Sequence, residues 1–352
     1  MRMGKSLYSI FYTGCLLAEA ALQVACVNVN EPLKSGYLPL QEALENRDAA
    51  VVKRLLAAGA APNLMNPEKP RMQQSLMQVA MENGKGEMEC VQALLDAGAK
   101  IGTEEVMYAA YWRYPQYLRA MLDAGGEVPR VEGTSRQAPI WNELSGYGAD
   151  KEGKDTVACA KLLMERGYSP HDPAYSRHPL HSAAKKGNEQ LVRFLLDQGF
   201  SPNEADEYGN TPLMENNESE AIAKILLEAG AKVNAQNRNG CTPLMQTCMQ
   251  EAVVRVLLKA GALPNLRNKK GETALLFHIH HPDPTGGAFT DKHGHYVTWH
   301  GDKQNIPVIK ALIEKGADVK KPDTTGETPL QAATNYGSKE LQVLLLNAGA
   351  KR

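Results

Sequence analysis

A short pattern of two apolar residues, two variable residues and a glycine recurs along this chain, and it constrains the fold more than any other feature. The copy at Leu195-Leu196-Asp197-Gln198-Gly199 is the clearest. A helix commonly ends with a residue in the left-handed backbone region, where glycine has no side-chain penalty. Nine glycines end such copies: Gly59, Gly98, Gly125, Gly167, Gly199, Gly230, Gly261, Gly316 and Gly349. A recurring helix end predicts a repeat architecture, with one helix of this type in each unit.

Two further patterns accompany the helix ends. Thr211-Pro212-Leu213, Thr242-Pro243-Leu244 and Thr328-Pro329-Leu330 open three units. Threonine can cap a helix amino terminus, and proline suits the first helical position because its missing N–H is not needed there. Between units, segments such as Asp206-Glu207-Tyr208-Gly209 have the aspartate and glycine spacing of a type I turn. Each unit is therefore predicted to be a helix, a tight turn, a second helix and a projecting finger.

In fixed order, these three patterns resemble the ankyrin repeat, which has a period of about 33 residues. The best copy runs from His178 to Asn203, and the resemblance covers about Leu38 to Arg352. It implies an all-α repeat solenoid, an ankyrin-repeat stack of about nine helix-turn-helix units with β-hairpin-like fingers. The length of 352 residues agrees with a repeat array, because single cores stop growing at about 250–300 residues.

The spacing between patterns predicts where the units depart from one another. We expect the repeat domain to span residues 27–352, with insertions at about 142–154 and 282–304. In the units that hold Leu213 and Leu244, the turn between the two helices is expected to be short. We interpret Cys90 and Cys159, which lie at apolar helix positions, as packing residues.

Residues 1–26 fit two interpretations. Arg2 and Lys5 precede an apolar run from Leu7 to Leu17 and a small-residue site at Ala18-Glu19-Ala20, which is the layout of a secretory leader. A leader would make the protein secreted or periplasmic, and the occurrence of the family in host-interacting bacteria suggests a bacterial effector or envelope scaffold. The alternative is an amphipathic capping helix, which would leave the protein in the cytoplasm. The run is too short for a transmembrane helix, and no other segment of the sequence predicts an integral membrane span.

The second insertion is rich in histidine. Between residues 278 and 300 it carries His280, His293, His295 and His300, whose imidazoles could converge on a metal ion such as zinc. His-x-His pairs would present both rings on one side if the backbone were extended. The alternatives are a pH-sensitive loop and a solvated polar hairpin, with His278 partly packed at a helix end.

Candidate partner-binding residues fall on the first helices and on the fingers. The resemblance implies that first helices line a concave groove, and it aligns Tyr108, Tyr111 and Trp112 with outward positions there. Tyrosine and tryptophan are enriched at binding hot spots; the alternative is that this group packs under the following insertion, beside Trp141 and Tyr147. The remaining candidates are Lys185 on a first helix and the finger residues Tyr208, Arg238 and Lys269.

The charge and the motifs restrict the function. The formal net charge of −1 gives no electrostatic reason to expect nucleic-acid binding. The sequence contains no phosphate-binding loop, no His-Glu-x-x-His and no Gly-x-Ser-x-Gly. We therefore expect a monomeric, non-enzymatic module without a cofactor that binds a protein partner through the concave groove and the fingers. The alternative is a metal-binding protein or metal-dependent enzyme that uses the histidine-rich insertion.

Overall fold

The computed structural model of this protein describes residues 29–33, 37–64, 74–81, 88–130, 139–146, 155–174, 178–216, 219–246, 250–280, 288–290, 296–298, 306–335 and 338–351. Its contacts divide the chain into two compact units. Unit 1 comprises Met1–Leu144 and Asp150–Arg177, and unit 2 comprises Ser145–Ala149 and His178–Arg352.

Unit 1 is built from paired helices. Its described helices are α1 (Pro39–Glu45), α2 (Ala49–Ala57), α3 (Leu76–Met81), α4 (Met88–Asp96), α5 (Thr103–Trp112), α6 (Pro115–Asp123), α7 (Ile140–Leu144) and α8 (Thr156–Glu165). The first helix of each pair packs on the first helix of the next pair, and the second helices pack likewise. The unit is thus a stack with a row of first helices and a row of second helices.

Unit 2 repeats this arrangement. Its described helices are α9 (Pro179–Lys185), α10 (Glu189–Asp197), α11 (Pro212–Glu215), α12 (Glu220–Glu228), α13 (Pro243–Gln246), α14 (Glu251–Lys259), α15 (Ala274–His280), α16 (Ile306–Glu314), α17 (Pro329–Asn335) and α18 (Lys339–Asn347). Between α15 and α16 lie two antiparallel strands, β1 (Ala288–Thr290) and β2 (Tyr296–Thr298), with Phe289 paired to Val297.

The core of each stack comes from apolar side chains of both helix rows, and the second helices show the pattern most clearly. In α10, Leu191, Val192 and Leu195 are fully buried, whereas Arg193 between them is exposed. This spacing places three apolar side chains on one helical face. Cys90 and Cys159 are buried at such positions in unit 1, which confirms their interpretation as packing residues.

The predicted helix ends are confirmed. All nine glycines that were expected to end a helix follow a second helix and have a positive φ, between 81° at Gly98 and 94° at Gly349. In α10 the Gly199 N–H donates to the carbonyl of Leu196, and the next amide donates to Leu195. These bonds use carbonyl groups that the end of a helix leaves without an intrahelical partner.

The prediction of short turns in two units is wrong, because the first helices are short instead. α11 and α13 have four residues each, compared with seven in α9. In a longer helix the Leu244 carbonyl would accept a bond from the amide four residues later. Here it accepts a hydrogen bond of 2.9 Å from Nε2 of His278, which is buried. His278 is therefore a packing residue that completes the short helix next to it.

No helix in the described part of the chain is long and apolar enough to span a membrane.

Candidate functional site

The aromatic group on α5 is half-buried. The Trp112 ring lies edge-on to Tyr111, with ring centroids 5.4 Å apart, and tilted against Tyr108 at 6.2 Å. All three side chains have intermediate exposure, so the group is neither an open patch nor part of the core. α5 ends at Trp112, and Arg113, which follows it with a φ of 60°, turns the chain directly after the aromatic residues.

The alternative packing of this group under the following insertion stays open, since residues 147–154, Tyr147 included, lie outside the described residues. Trp141, on α7 just before this insertion, is fully buried, and its Nε1–H donates to the Tyr168 carbonyl at 3.1 Å. Trp141 is therefore a packing residue of unit 1.

Lys185, the predicted binding residue at the end of α9, is exposed over 62% of its side chain. Its Nζ lies 3.2 Å from a carboxylate oxygen of Glu215 on α11, the neighbouring first helix. The first-helix surface of unit 2 thus presents an ion pair at this point. A partner that used Lys185 would have to compete with Glu215.

The fingers of unit 2 are tight turns of one design. In the first finger, the Gly209 N–H donates to the Asp206 carbonyl, as the predicted turn requires, and Gly209 has a φ of 79°. The Asp206 carboxylate accepts bonds from the amides of Tyr208 and Asn210. Similar bonds close the turns that begin at Asn237, Asn268 and Asp323.

Neighbouring fingers are joined through their backbones. The amide of Arg238 donates to the Tyr208 carbonyl at 3.0 Å, and the amide of Lys269 donates to Asn239 at 2.9 Å. The amide of Thr324 continues the series by donating to Lys270 at 2.9 Å. The four tips therefore form a row with fixed spacing. Their side chains point to solvent: Tyr208 is 65% exposed, and Arg238 and Lys269 are exposed.

A recurring asparagine, which the sequence reasoning missed, holds the base of each finger to the next repeat. The Asn234 Nδ2 donates to the Gly261 carbonyl at 3.0 Å, while its Oδ1 accepts the Leu263 amide at 2.9 Å. The same pair of bonds is made by Asn30, Asn63, Asn203 and Asn265. The sequence signal was available, since Asn63, Asn203, Asn234 and Asn265 each lie four residues after a helix-ending glycine.

Two histidines at the start of α9 face the first finger. The His178 ring nitrogens lie 3.6 Å from Glu204 and 3.4 Å from Glu207. His181 Nε2 donates to the Asn210 carbonyl at 2.9 Å. Burial lowers the pKa of His181, and the nearby His178 adds to this effect, although the Asn210 carbonyl and the finger carboxylates oppose it. His181 therefore acts as a neutral hydrogen-bond donor to the finger.

His280 is the one predicted metal ligand that the structure describes, and its surroundings differ from the expectation. His278 and His280 belong to helix α15, so this His-x-His pair is not extended, and its two rings have different partners. His280 Nδ1 lies 2.7 Å from Glu272, and Nε2 lies 3.3 Å from Glu327. Burial lowers the pKa of His280, but the hydrogen bond to Glu272 and the two carboxylate charges outweigh burial and raise it overall.

The other predicted ligands, His293, His295 and His300, lie outside the described residues. Within the described ranges, no group of three or more histidine, cysteine or acidic side chains has an arrangement suited to a metal ion.

An open groove of about 840 Å³ lies between α4 and α6 on the second-helix row of unit 1. It is lined by Met88, Gln92, Leu95, Asp96, Pro115, Gln116, Arg119, Ala120, Asp123 and Ala124. None of the predicted binding residues lines this groove.

Comparison with known proteins gives two findings. A family model described as ankyrin repeats matches residues 149–237 and 215–281, with three copies. The chain is also similar to an E3 ubiquitin-protein ligase, KEG, of Arabidopsis thaliana, with 26% identity over 177 residues. That alignment covers 46% of this chain but a tenth of the ligase.

Proposed function

We propose that this chain, which matches a model of ankyrin repeats over residues 149–281, is a protein-binding module that acts by contact rather than by catalysis. Ankyrin repeats generally mediate protein interactions. Two surfaces are the candidates for contact with a protein partner. One is the aromatic group of unit 1, Tyr108, Tyr111 and Trp112, and the other is the finger row of unit 2 with Tyr208, Arg238 and Lys269.

The finger row carries this proposal. Its four tips are joined by backbone hydrogen bonds, and the side chains that they present are exposed. A surface that is already ordered loses less conformational entropy when a partner docks, so more of the contact energy appears as affinity. The row projects from a stack whose buried apolar side chains come mainly from the helices.

Site-specific photo-crosslinking tests the proposal, with the purified full chain added to a cell extract that supplies candidate partners. A photoreactive amino acid would replace Tyr208 in one variant and Tyr111 in another. A third variant would carry it in place of Arg193, which is exposed on the second-helix row. We expect one or more proteins to crosslink to Tyr208 or Tyr111 and not to Arg193. Equal crosslinking at all three positions, or crosslinking at Arg193 alone, would contradict the proposal.

Once a partner is identified, the aromatic group can be tested separately. If Tyr111 is an anchor, its replacement by alanine should weaken binding by about 2 kcal/mol or more, which is the usual size of a hot-spot effect. The unfolding midpoint of the same variant must be measured, since the residue is half-buried. Unchanged affinity would remove the group from the binding surface and leave the fingers as the candidate.

A further inference from the structure

We propose that the middle finger tips of unit 2 bind an acidic segment of the partner through three cations. These cations are exposed, their backbone positions are fixed, and among the described residues they form no ion pair. These cations, Arg238, Lys269 and Lys270, are here called the basic tips. The inference rests on the proposed protein-binding function, and it names the chemistry of the partner at one surface.

The basic tips are distinguished by their grouping, because three cations lie on two adjacent fingers. Elsewhere, several cations pair with carboxylates at short distance: Lys53 with Glu89, Arg166 with Asp123, Lys185 with Glu215, Lys224 with Glu220, and Arg255 with Glu251 and Glu314. Arg238, Lys269 and Lys270 are exposed, and among the described residues the structure gives them no ion pair. Their charge is therefore available to a partner.

Side-chain bonds fix the tips in addition to the backbone series. The Gln236 Nε2 donates to Gly240 in its own finger at 2.8 Å and to the Arg267 carbonyl in the next finger at 3.0 Å. Arg267 does the same one finger further on, with bonds to Gly271 at 2.8 Å and to Pro322 at 2.9 Å. Gln236 and Arg267 occupy equivalent positions, and their side chains join three consecutive fingers by hydrogen bonds. Arg267 also places a guanidinium beside the basic tips.

The close contact of the tips is visible at Gly240. Its φ is 75°, and a Cβ at this position would lie 3.1 Å from the backbone nitrogen of Lys269. Glycine therefore satisfies both the turn and the approach of the next finger. The basic tips are held by backbone contacts rather than by their own side chains, which stay free to meet a ligand.

The fixed spacing predicts the pattern of the ligand. Each finger contributes two antiparallel limbs, so neighbouring tips are about 10 Å apart, which is two strand spacings. A peptide in the polyproline II conformation advances about 3.1 Å per residue with three residues per turn, so one tip spacing corresponds to about three residues. Acidic side chains at every third position of such a segment would lie on one side and face successive tips.

The neighbouring finger limits where such a segment lies. Asp206 and Glu207 place carboxylates beside Tyr208 at the first tip, where they would repel an acidic chain. The acidic part of the ligand should therefore lie on the second and third tips, since Asp323 also places a carboxylate at the fourth, with a neutral or apolar residue opposite the exposed Tyr208. The same carboxylates favour a peptide over a nucleic acid, whose uniform phosphate charge would meet repulsion at this end.

The test uses the purified full chain and a fluorescent peptide of about fifteen residues with glutamate at every third position. Binding is measured by anisotropy at an ionic strength of about 20 mM, where screening is weak, and again at about 150 mM. We expect saturable binding that weakens as salt is added, and weaker binding of a peptide of the same composition whose glutamates are contiguous.

The decisive variant carries Arg238→Glu, Lys269→Glu and Lys270→Glu. A matched control carries Lys161→Glu, Arg193→Glu and Lys310→Glu, which reverse three exposed cations on the second helices. Both sets change the net charge equally, so a nonspecific effect of charge would appear in both. We expect the tip variant to bind the spaced peptide at least tenfold more weakly and the control to change affinity by less than twofold. Superimposable thermal unfolding would confirm that both variants fold.

Three results would overturn the inference: no binding of the spaced peptide, equal losses in both variants, or tighter binding of single-stranded nucleic acid than of the peptide. None of these would refute the protein-binding function, which crosslinking at Tyr208 and Tyr111 tests independently. If neither position crosslinks but the spaced peptide binds tightly, the proposed protein-binding function is contradicted, while the basic tips still have an affinity for acidic peptides.

Discussion

Removal of the Asn234 side-chain amide tests how the repeat units are held together. The amide makes two bonds across the boundary between consecutive repeats, one to the Gly261 carbonyl and one from the Leu263 amide. Asn234→Ala deletes both bonds without disturbing the buried stripe of either second helix. The substitution therefore isolates the contribution of the asparagine from that of the core.

The magnitude follows from the number and exposure of these bonds. A protein hydrogen bond contributes about 0.5–1.5 kcal/mol net, and the lower half of this range applies where water can replace the lost partner. Since the Asn234 bonds are exposed, we expect the free energy of unfolding to fall by about 1–2 kcal/mol. In a stacked array each repeat contacts its neighbours alone, so the loss should concentrate in unit 2.

Urea unfolding followed by circular dichroism measures this loss. The matched control is Asn239→Ala, on the exposed tip of the same finger, where the backbone rather than the side chain makes the bonds to neighbouring residues. We expect the control to change stability by less than about 0.5 kcal/mol, the usual limit for surface substitutions. If both variants lose the same stability, the asparagine bonds do not hold the repeats together and the reasoning is refuted.

Two further predictions concern backbone strain and pH. Arg47 has a φ of 58° and is exposed, so Arg47→Gly should raise the free energy of unfolding by about 0.5–1 kcal/mol, since the relief of strain exceeds the added entropy of the unfolded chain. Gly187, which follows α9 with a φ of 76° and has open space around its Cβ position, supplies the reverse test: Gly187→Ala should cost about 1 kcal/mol, measured by urea unfolding. Folding lowers the pKa of His181. Its contribution to the free energy of unfolding is therefore fully present above the unfolded pKa of 6.5, and it is lost as the pH falls through the folded pKa. The parent chain should therefore lose more stability between about pH 7 and pH 5 than the His181→Gln variant does. An equal loss in both proteins would show that His181 does not cause it. The raised pKa of His280 acts in the opposite direction, but His280 is present in both proteins and its effect cancels in the comparison.

The helix ends and the repeat order were predictable because they depend on local physics. A glycine at the end of a second helix adopts a positive φ, and this preference belongs to the residue itself. The same preference fails where the local signal is missing. Arg47 and Arg113 adopt positive φ after α1 and α5 without being glycine, so the sequence did not predict the left-handed ends of these first helices.

The histidine cluster shows why a residue pattern does not give its geometry. Spacing alone suggested that His278 and His280 would share one side of an extended segment, but the apolar residues around them continue α15 as a helix. One ring then completes the short helix α13, and the other lies between two carboxylates. Both contacts join residues more than seven positions apart, so local spacing contains no information about them.

The finger tips explain why the position of the binding surface could be predicted while the partner could not. At the same place in successive fingers the chain has Glu207, Arg238, Lys269 and Thr324. In the last three the backbone amide donates a bond to the preceding finger, and at Thr324 the side-chain hydroxyl donates to the same carbonyl as well. The backbone bond is thus made with a basic or a neutral side chain at this place. Because this bond does not depend on the type of side chain, the chemistry of these positions can follow the partner. A row of unneutralised cations at two adjacent tips is then evidence about what the surface binds.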